Sequence, residues 1–208
     1  METNIIILFF VISAIHIFTD YKFPNAVYFT KPLPLLFIIF YCLLSKDLFQ
    51  SNKLFIFLGF IFSLAGDLLL INKKYFYFGL ISFLITHLFF ITYLLLQFHP
   101  HFNIIIFFII VFAFIMFYRQ IINRVQTKKN YLILYGIILF SLLWQSLEQI
   151  NFYKNSSSLI FASGILLFVI SDILIAFNKF ITKFQSAQFL ILSTYFLAQF
   201  LILISTFE

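Results

Sequence analysis

Eight long apolar segments, joined by connections of only a few residues, constrain the fold of this chain more than any other feature. Most approach the ~20 residues that a helix needs to cross a bilayer. The second segment is short, and we expect it to begin upstream, near Tyr28. The sequence therefore predicts an all-α, polytopic membrane protein, a bundle of about eight transmembrane helices that forms a single domain over residues 1–208. The segments cover residues 4–18, 33–44, 54–71, 76–96, 102–118, 131–147, 159–177 and 187–204.

The composition argues against a soluble enzyme and against a nucleic-acid-binding protein. Charged residues make up 10% of the chain and hydrophobic residues 63%, whereas soluble domains carry about a quarter charged residues. The net charge of +6 comes from basic residues scattered through the short connections. Membrane topology explains that scatter better than a nucleic-acid patch does. Cys42 is the only cysteine, so no disulfide or thiolate metal cluster can form within the chain.

The basic residues are divided unequally between the two sides of the predicted bundle. The connections after the first, third, fifth and seventh segments hold ten lysines and arginines, and the opposite side holds three. Because cytoplasmic connections carry the excess of basic residues, the richer side is predicted to be cytoplasmic and both termini to lie outside. We expect an integral, multi-pass protein of the bacterial inner (cell) membrane.

A glycine followed seven residues later by a small residue and an aspartate occurs twice. Residues 59–67 read Gly-x6-Gly-Asp in the third segment, and residues 164–172 read Gly-x6-Ser-Asp in the seventh. On a helix these positions form one stripe. The following segments correspond loosely, with Thr86-His87 matching Thr194-Tyr195. We therefore predict an internal parallel repeat of segments three and four with seven and eight. No convincing match links segments one and two with five and six.

Asp67 and Asp172 are the candidate catalytic residues, because an ionisable group inside an apolar helix is costly and marks a functional-site hypothesis. Asp67 precedes Lys73 by six residues and Asp172 precedes Lys179 by seven. The helical rise then places each carboxylate roughly 9–10 Å inside the cytoplasmic lysine level. The alternative is a structural role, in which lysines snorkel back along the helix to pair with them.

Four further polar residues are candidate substrate-binding residues. Lys31, at the cytoplasmic mouth, either neutralises a lipid phosphate or is an ordinary topogenic lysine. His87 lies about 20 Å from the cytoplasmic lysines by the helical rise, and either lines a pocket or bonds a neighbouring helix. Tyr195 and Gln199, four residues apart, form a polar stripe that either binds substrate or holds helices together.

No metal or cofactor is predicted. His16, His99 and His101 lie near segment ends without metal-ligand spacing. No glycine-rich phosphate loop and no Ser/His/Asp arrangement occurs. Glu148 and Gln149 fall at the interface opposite the aspartates, and we expect them to be solvated.

Five short motifs, taken in their order and spacing, resemble those of one family. They are Thr-Lys-Pro-Leu at 30–33, Phe-Ser-Leu-Ala-Gly-Asp at 62–67, the stretch 78–87 that ends in Thr-His, Phe-Val-Ile-Ser-Asp at 168–172, and Thr-Tyr-x3-Gln at 194–199. Together they resemble the YhhN-like lysoplasmalogenase family over nearly the whole chain. The resemblance implies a membrane hydrolase that cleaves the vinyl-ether bond of lysoplasmalogens to a fatty aldehyde and a glycerophospho-base. Its implied partners are a lysophospholipid substrate and bilayer lipid.

The resemblance also implies roles for the polar residues. Asp67 and Asp172 match the family's paired acidic positions, and its other polar positions match Lys31, His87, Tyr195 and Gln199. Enol ethers hydrolyse by protonation of the β-carbon, followed by capture of the oxocarbenium ion by water. This chemistry needs a carboxylic acid that stays protonated near neutral pH and a second carboxylate that stabilises the cation or activates water.

A proton-coupled transporter of small solutes is the alternative function, since paired intramembrane carboxylates in a repeat also describe such proteins. Transporter sites usually lie at the membrane midplane, whereas both aspartates are predicted near one face. A purely structural membrane protein is the third possibility. The sequence leaves open the preferred head group, the oligomeric state and which aspartate is the acid.

Overall fold

In the computed structural model, residues 3–98, 102–125 and 128–208 are described, and they form nine α-helices and no β-strand. Single 3₁₀ turns occur at Pro24–Ala26, Leu48–Gln50 and Lys73–Tyr75. The all-α prediction is confirmed. The helices are α1 (Thr3–Lys22), α2 (Val27–Thr30), α3 (Leu33–Leu43), α4 (Lys53–Ile71), α5 (Phe76–Gln97), α6 (Ile104–Ile122), α7 (Lys129–Tyr153), α8 (Ser156–Phe180) and α9 (Ala187–Phe207).

Eight stretches of the described chain are long and apolar enough to cross a membrane, which confirms the polytopic architecture. The second of them, Pro24–Leu43, begins upstream of Tyr28 and combines a 3₁₀ turn with α2 and α3. Its helix is interrupted at Lys31 and Pro32. The interruption follows from Pro32 and Pro34, which have no N–H to donate to the preceding turn.

The chain divides into two compact units. The first unit contains residues 1–93 together with residues 203–208, and the second contains residues 94–202. In the first unit, α3 packs against both α1 and α4. In the second unit, α7 packs against both α6 and α8. Asp67 therefore belongs to the first unit and Asp172 to the second, each on the helix that follows a central one.

The first copy of the predicted repeat is a tightly packed pair of helices. Gly59 and Gly66 on α4 lie against the rings of Phe90 and Phe83 on α5. A Cβ atom on Gly59 would clash with the Phe90 ring, and one on Gly66 would come within 2.8 Å of the Phe83 ring. Glycine at both positions is what lets α4 and α5 approach each other.

The second copy uses equivalent positions. A Cβ atom on Gly164 of α8 would lie 3.1 Å from the carbonyl oxygen of Ala198 on α9. Ser171 Oγ donates a hydrogen bond to the carbonyl of Ile191 at 3.1 Å. Ala198 and Ile191 each lie 108 residues after their counterparts in α5, Phe90 and Phe83. The two helix pairs of the predicted repeat therefore make contacts at corresponding positions.

Alanine at Gly164 should destabilise the protein more than alanine at Gly136. At Gly164 the added Cβ meets backbone atoms of α9, Ala198 O at 3.1 Å and Ile202 N at 3.2 Å, so two helices must separate. At Gly136 it meets the ring of Phe114, a side chain that can shift. We expect an overpacking cost of about 1–3 kcal/mol at Gly164, partly offset by ~1 kcal/mol of helix propensity. Thermal unfolding in detergent measures both variants, and equal unfolding temperatures would contradict the expectation.

Candidate active site

Asp67 lies on α4 with its carboxylate buried beside a lysine. Lys31 Nζ lies 4.0 Å from Asp67 Oδ1, and the two residues are only 7% and 3% exposed. Lys31 reaches this position from the break between α2 and α3, where the prolines interrupt the second span. The ammonium group is therefore next to the candidate catalytic carboxylate and not in solvent. Its contact with a lipid phosphate stays a prediction.

His16 on α1 supports the chain segment that carries Lys31. The imidazole is fully buried, and its Nδ1 lies 3.0 Å from Thr30 Oγ1. Thr30 Oγ1 donates to the carbonyl of Ala26 at 3.3 Å, so it accepts the proton of His16 Nδ1 when both bonds form. His16 and Lys31 also interact electrostatically. Because Thr30 directly precedes Lys31, this bond helps to fix the position of the Lys31 backbone.

Sequence reasoning missed His16, although one signal could have found it. His16 precedes Lys22 by six residues, just as Asp67 precedes Lys73. The helical rise therefore puts His16 and Asp67 at the same depth, roughly 9 Å inside their basic helix ends.

His87 lies on α5 and is fully buried. The preceding residue, Thr86, donates to the carbonyl of Gly59 at 3.1 Å, and its hydroxyl lies 3.2 Å from Ser63 Oγ. These hydroxyl groups bond α5 to α4 around the glycine contact. His87 is thus placed deep in the first unit, next to the packed seam of the first repeat, and its contact with substrate stays a prediction.

Asp172 on α8 is bonded by a tyrosine that the sequence analysis missed. The hydroxyl of Tyr135 on α7 donates to Asp172 Oδ2 at 2.6 Å, and both residues are 8% exposed. The depth of Tyr135 along its helix could have revealed this partner of Asp172. Tyr135 follows Lys129 by six residues and Asp172 precedes Lys179 by seven, so both lie about 9–10 Å inside the basic helix ends.

Tyr195 on α9 joins the group around Asp172. Its ring packs edge-on against Phe168, with centroids 5.5 Å apart, and Phe168 precedes Asp172 by one helical turn on α8. Gln199, one turn further along α9, is fully buried. The second unit therefore brings Asp172 and Tyr135 together, with Tyr195 packed against the turn of α8 before Asp172 and Gln199 one turn beyond Tyr195.

The partners of the two aspartates come from corresponding places in the chain. Lys31 precedes Asp67 by 36 residues, and Tyr135 precedes Asp172 by 37. Both partners belong to the span before the aspartate helix. The structure therefore shows a correspondence between the two units that the sequences of segments one, two, five and six do not reveal.

The sequence model of the YhhN family matches residues 26–206. The chain belongs to the YhhN family. The match includes both aspartates, their two partners and the other predicted site residues, whereas His16 lies before it. No curated protein and no solved structure matches the chain at a significant level.

Two polar residues of this YhhN-family protein are buried, so the expectation that they are solvated is wrong. Glu148 and Gln149 on α7 are 1% and 6% exposed. Glu148 Oε1 accepts the backbone N–H of Asn103 at 3.0 Å, and Asn103 caps α6. The hydroxyl of Tyr153 bonds the carbonyl of Gln97 at 2.6 Å. Because Asn103 is the N-cap of α6, its bond to Glu148 anchors the start of α6 on α7.

A cavity of about 190 Å³ lies between α6 and α7, with Ser141 and Trp144 in its lining. Trp144 follows Tyr135 by nine residues, or about two and a half helical turns, so the cavity is on the opposite side of α7 from Asp172. Among the described residues, no group of three or more His, Cys, Asp or Glu side chains could hold a metal ion. His99 and His101 lie outside the described residues.

Replacing Thr30 by valine should destabilise the first unit. The change removes the hydroxyl that bonds His16 Nδ1 and leaves that buried polar atom without this bond, which costs about 1–3 kcal/mol. Thr30→Ser keeps the hydroxyl and is the matched control. Thermal unfolding in detergent measures the difference, and a Thr30→Val protein as stable as Thr30→Ser would exclude a stabilising role for the bond.

Proposed function

We propose that this protein is a lysoplasmalogenase-type membrane hydrolase, which cleaves the vinyl-ether bond of a lysoplasmalogen to a fatty aldehyde and a glycerophospho-base. Membership of the YhhN family, over residues that include both buried aspartates, carries the proposal. The substrate is a lysophospholipid taken from the surrounding bilayer.

The depth of each aspartate supports a lipid linkage as the substrate. The polar interface of a bilayer is about 5–7 Å thick in each leaflet. A carboxyl group about 9–10 Å inside a basic helix end lies at the level where a glycerol backbone meets its hydrocarbon chain. From the distribution of lysine and arginine, we place the site toward the cytoplasmic leaflet of a bacterial inner membrane.

The proposed reaction uses both carboxyl groups. One aspartic acid gives its proton to the β-carbon of the alkene, where the π electron pair forms the new C–H bond and leaves an oxocarbenium ion. The other aspartate stabilises this cation and takes a proton from the attacking water, which gives a hemiacetal. When the hemiacetal C–O bond to glycerol breaks, that second proton goes to the departing oxygen. The hemiacetal hydroxyl proton returns to the first aspartate.

The other polar residues are assigned to substrate binding. Lys31 lies where an ammonium can meet both the Asp67 carboxylate and a lipid phosphate. Tyr195, whose ring packs against Phe168 one turn before Asp172, orients the glycerol portion, and Gln199 lies one turn further along the same helix. His87, at greater depth than Asp67, lines the slot for the hydrocarbon chain.

A proton-coupled transporter of small solutes is the second candidate function. The matching contacts of the two helix pairs favour it, because transporters are commonly built from such repeats. The two functions differ in their need for a gradient. An enzyme turns over in detergent solution, whereas transport requires a membrane that separates two compartments.

Asp67→Asn and Asp172→Asn should each lower turnover of a lysoplasmalogen by roughly 10²–10⁴-fold, since each removes one proton-transfer or charge-stabilising group. Aldehyde release by the purified protein in detergent is the measurement. Glu148→Gln, which changes another buried carboxylate, is the matched control and should retain turnover. A fully active variant at either aspartate would remove that residue from the mechanism. An inactive wild type that accumulates solute in vesicles under a proton gradient would favour the transporter.

Turnover in D2O should place one deuterium at C2 of the fatty aldehyde, because the proton that reaches the β-carbon comes from solvent through an aspartic acid. The rate should also fall, since proton transfer to carbon is slow. The matching ester-linked and saturated ether lysolipids, which lack the alkene, should remain intact. Aldehyde without deuterium at early times, under conditions in which it does not exchange, would exclude protonation at carbon.

A further inference from the structure

The cavity between α6 and α7 has no role in the proposed reaction. Its volume is about 190 Å³, and all of its lining belongs to the second unit. Each helix contributes four side chains, at positions i, i+3, i+4 and i+7, starting at Phe107 on α6 and at Ile137 on α7. Positions with this spacing form one stripe along a helix. The cavity is therefore an elongated groove between two facing stripes, and seven residues of helical rise make it roughly 10 Å long.

The groove runs along the helices, from Trp144 at one end toward Phe114 at the other. The ring of Phe107 packs edge-on against Trp144, with centroids 6.0 Å apart, and that of Phe114 packs against Phe140 at 5.5 Å. Phe107 follows Asn103, the N-cap of α6, by four residues, so the Trp144 end lies about 6 Å from the start of α6. Because the polar interface of a leaflet is about 5–7 Å thick, Trp144 lies where the interface meets the hydrocarbon core.

The surroundings of the groove are apolar and accessible. Ile137, in its lining, is 48% exposed. Of the eight candidate spans in the described chain, α6 is the least buried, and Ile109 and Phe112 on its outer face are 60% and 65% exposed. Apolar cavities of about 150 Å³ inside proteins stay dry and take apolar ligands. In a bilayer, a groove of this size and lining is therefore suited to hydrocarbon and not to water.

Trp144 adds a polar requirement to this apolar groove. Its indole Nε1 is buried and forms no hydrogen bond with the described part of the chain. An indole N–H can only donate, and a buried donor without an acceptor costs about 1–3 kcal/mol. The fitting occupant has a hydrocarbon chain with an oxygen acceptor at one end. A glycerophospholipid has this combination at this depth, because its ester carbonyls lie at the interface and its acyl chains run along the spans.

We propose that the groove between α6 and α7 binds one acyl chain of a bilayer glycerophospholipid, and that the Trp144 indole N–H donates to the ester carbonyl of that chain. The lipid belongs to the leaflet at the start of α6, opposite the basic helix ends. Its chain runs from Trp144 toward Phe114 and fills the gap between the two stripes. The inference does not depend on the proposed hydrolysis.

Fluorescence of the wild-type protein tests the site directly, because Trp144 is the only tryptophan in the chain. Bromine atoms on an acyl chain quench an indole only on contact. Titration of a dibrominated diacyl phospholipid into the detergent-solubilised protein should quench Trp144 with saturation. Bromines near the ester should quench more than bromines near the methyl end, since Trp144 lies at the ester end of the groove. Quenching that does not saturate, or that is strongest with bromines near the methyl end, would overturn the proposal.

A tryptophan on the outer face of α6 shows the effect of ordinary boundary lipid. Ile109→Trp in a Trp144→Phe background places the indole at a position that is 60% exposed. We expect its quenching to follow the lipid fraction without saturation. Trp144 should reach half-maximal quenching at roughly tenfold less lipid, which corresponds to about 1.4 kcal/mol. Identical curves would show that Trp144 meets boundary lipid only and would exclude a site.

An ether-linked phospholipid with the same brominated chains tests the hydrogen bond. It keeps the hydrocarbon and lacks the ester carbonyl, so half-maximal quenching should need roughly 3–10-fold more lipid, the effect of one hydrogen bond. A brominated free fatty acid, whose carboxylate is another oxygen acceptor on a hydrocarbon chain, should also need more. Equal binding of the ether lipid would exclude the bond. Tighter binding of the fatty acid would exclude a phospholipid as the occupant.

Ser141→Leu fills the groove from the α7 side, where Ser141 lies in the lining three residues before Trp144. It should remove the saturable quenching. Ala113→Leu is the matched control, since it adds comparable bulk on the exposed face of α6, and its titration should be that of the wild type. Saturable quenching that persists in Ser141→Leu would contradict the location of the chain. A wild type that is not quenched and sediments as a dimer would show that a second copy covers the groove, which would also overturn the proposal.

Discussion

The structure depends on the cost of placing charge among apolar helices. Removing a carboxylate from water costs several kcal/mol unless another group compensates it, and this chain carries buried carboxylates in both of its units. Each one has a partner from a different helix: Lys31 for Asp67, Tyr135 for Asp172 and the backbone of Asn103 for Glu148. These partners are possible because the apolar helices hold them at the right depth.

The two helix pairs of the repeat are packed by the same kinds of residue at corresponding positions. A small residue at the position of Gly59 or Gly164 lets two helices come close, and hydroxyl groups such as those of Thr86 and Ser171 bond carbonyl groups across the gap. Small and weakly polar residues at helix interfaces are the usual means of association in membranes, where apolar surfaces alone provide little drive. Close packing of this kind fixes the aspartate that follows on the same helix.

Divergence between the copies occurs in the helices that supply the partners. The proposed acid catalysis needs one carboxyl group that is protonated and one that is ionised, a difference that unlike environments can produce. A symmetric duplication would give two equivalent carboxyl groups. In this protein the corresponding position holds a lysine in one unit and a tyrosine in the other. The bond between His16 and Thr30 supports the segment that carries this lysine.

The sequence by itself determined the eight membrane-spanning segments, the repeat of two helix pairs and the positions of Asp67 and Asp172. These follow from local properties: hydropathy over about twenty residues, and the placement of a carboxylate within an apolar run. Only the tertiary structure decided that Tyr135 and His16 belong to the candidate site and that Glu148 is buried. The hydrogen bond between Tyr135 and Asp172 joins two residues that lie 37 positions apart on different helices. Helical periodicity does not tell which helices become neighbours or which of their faces meet.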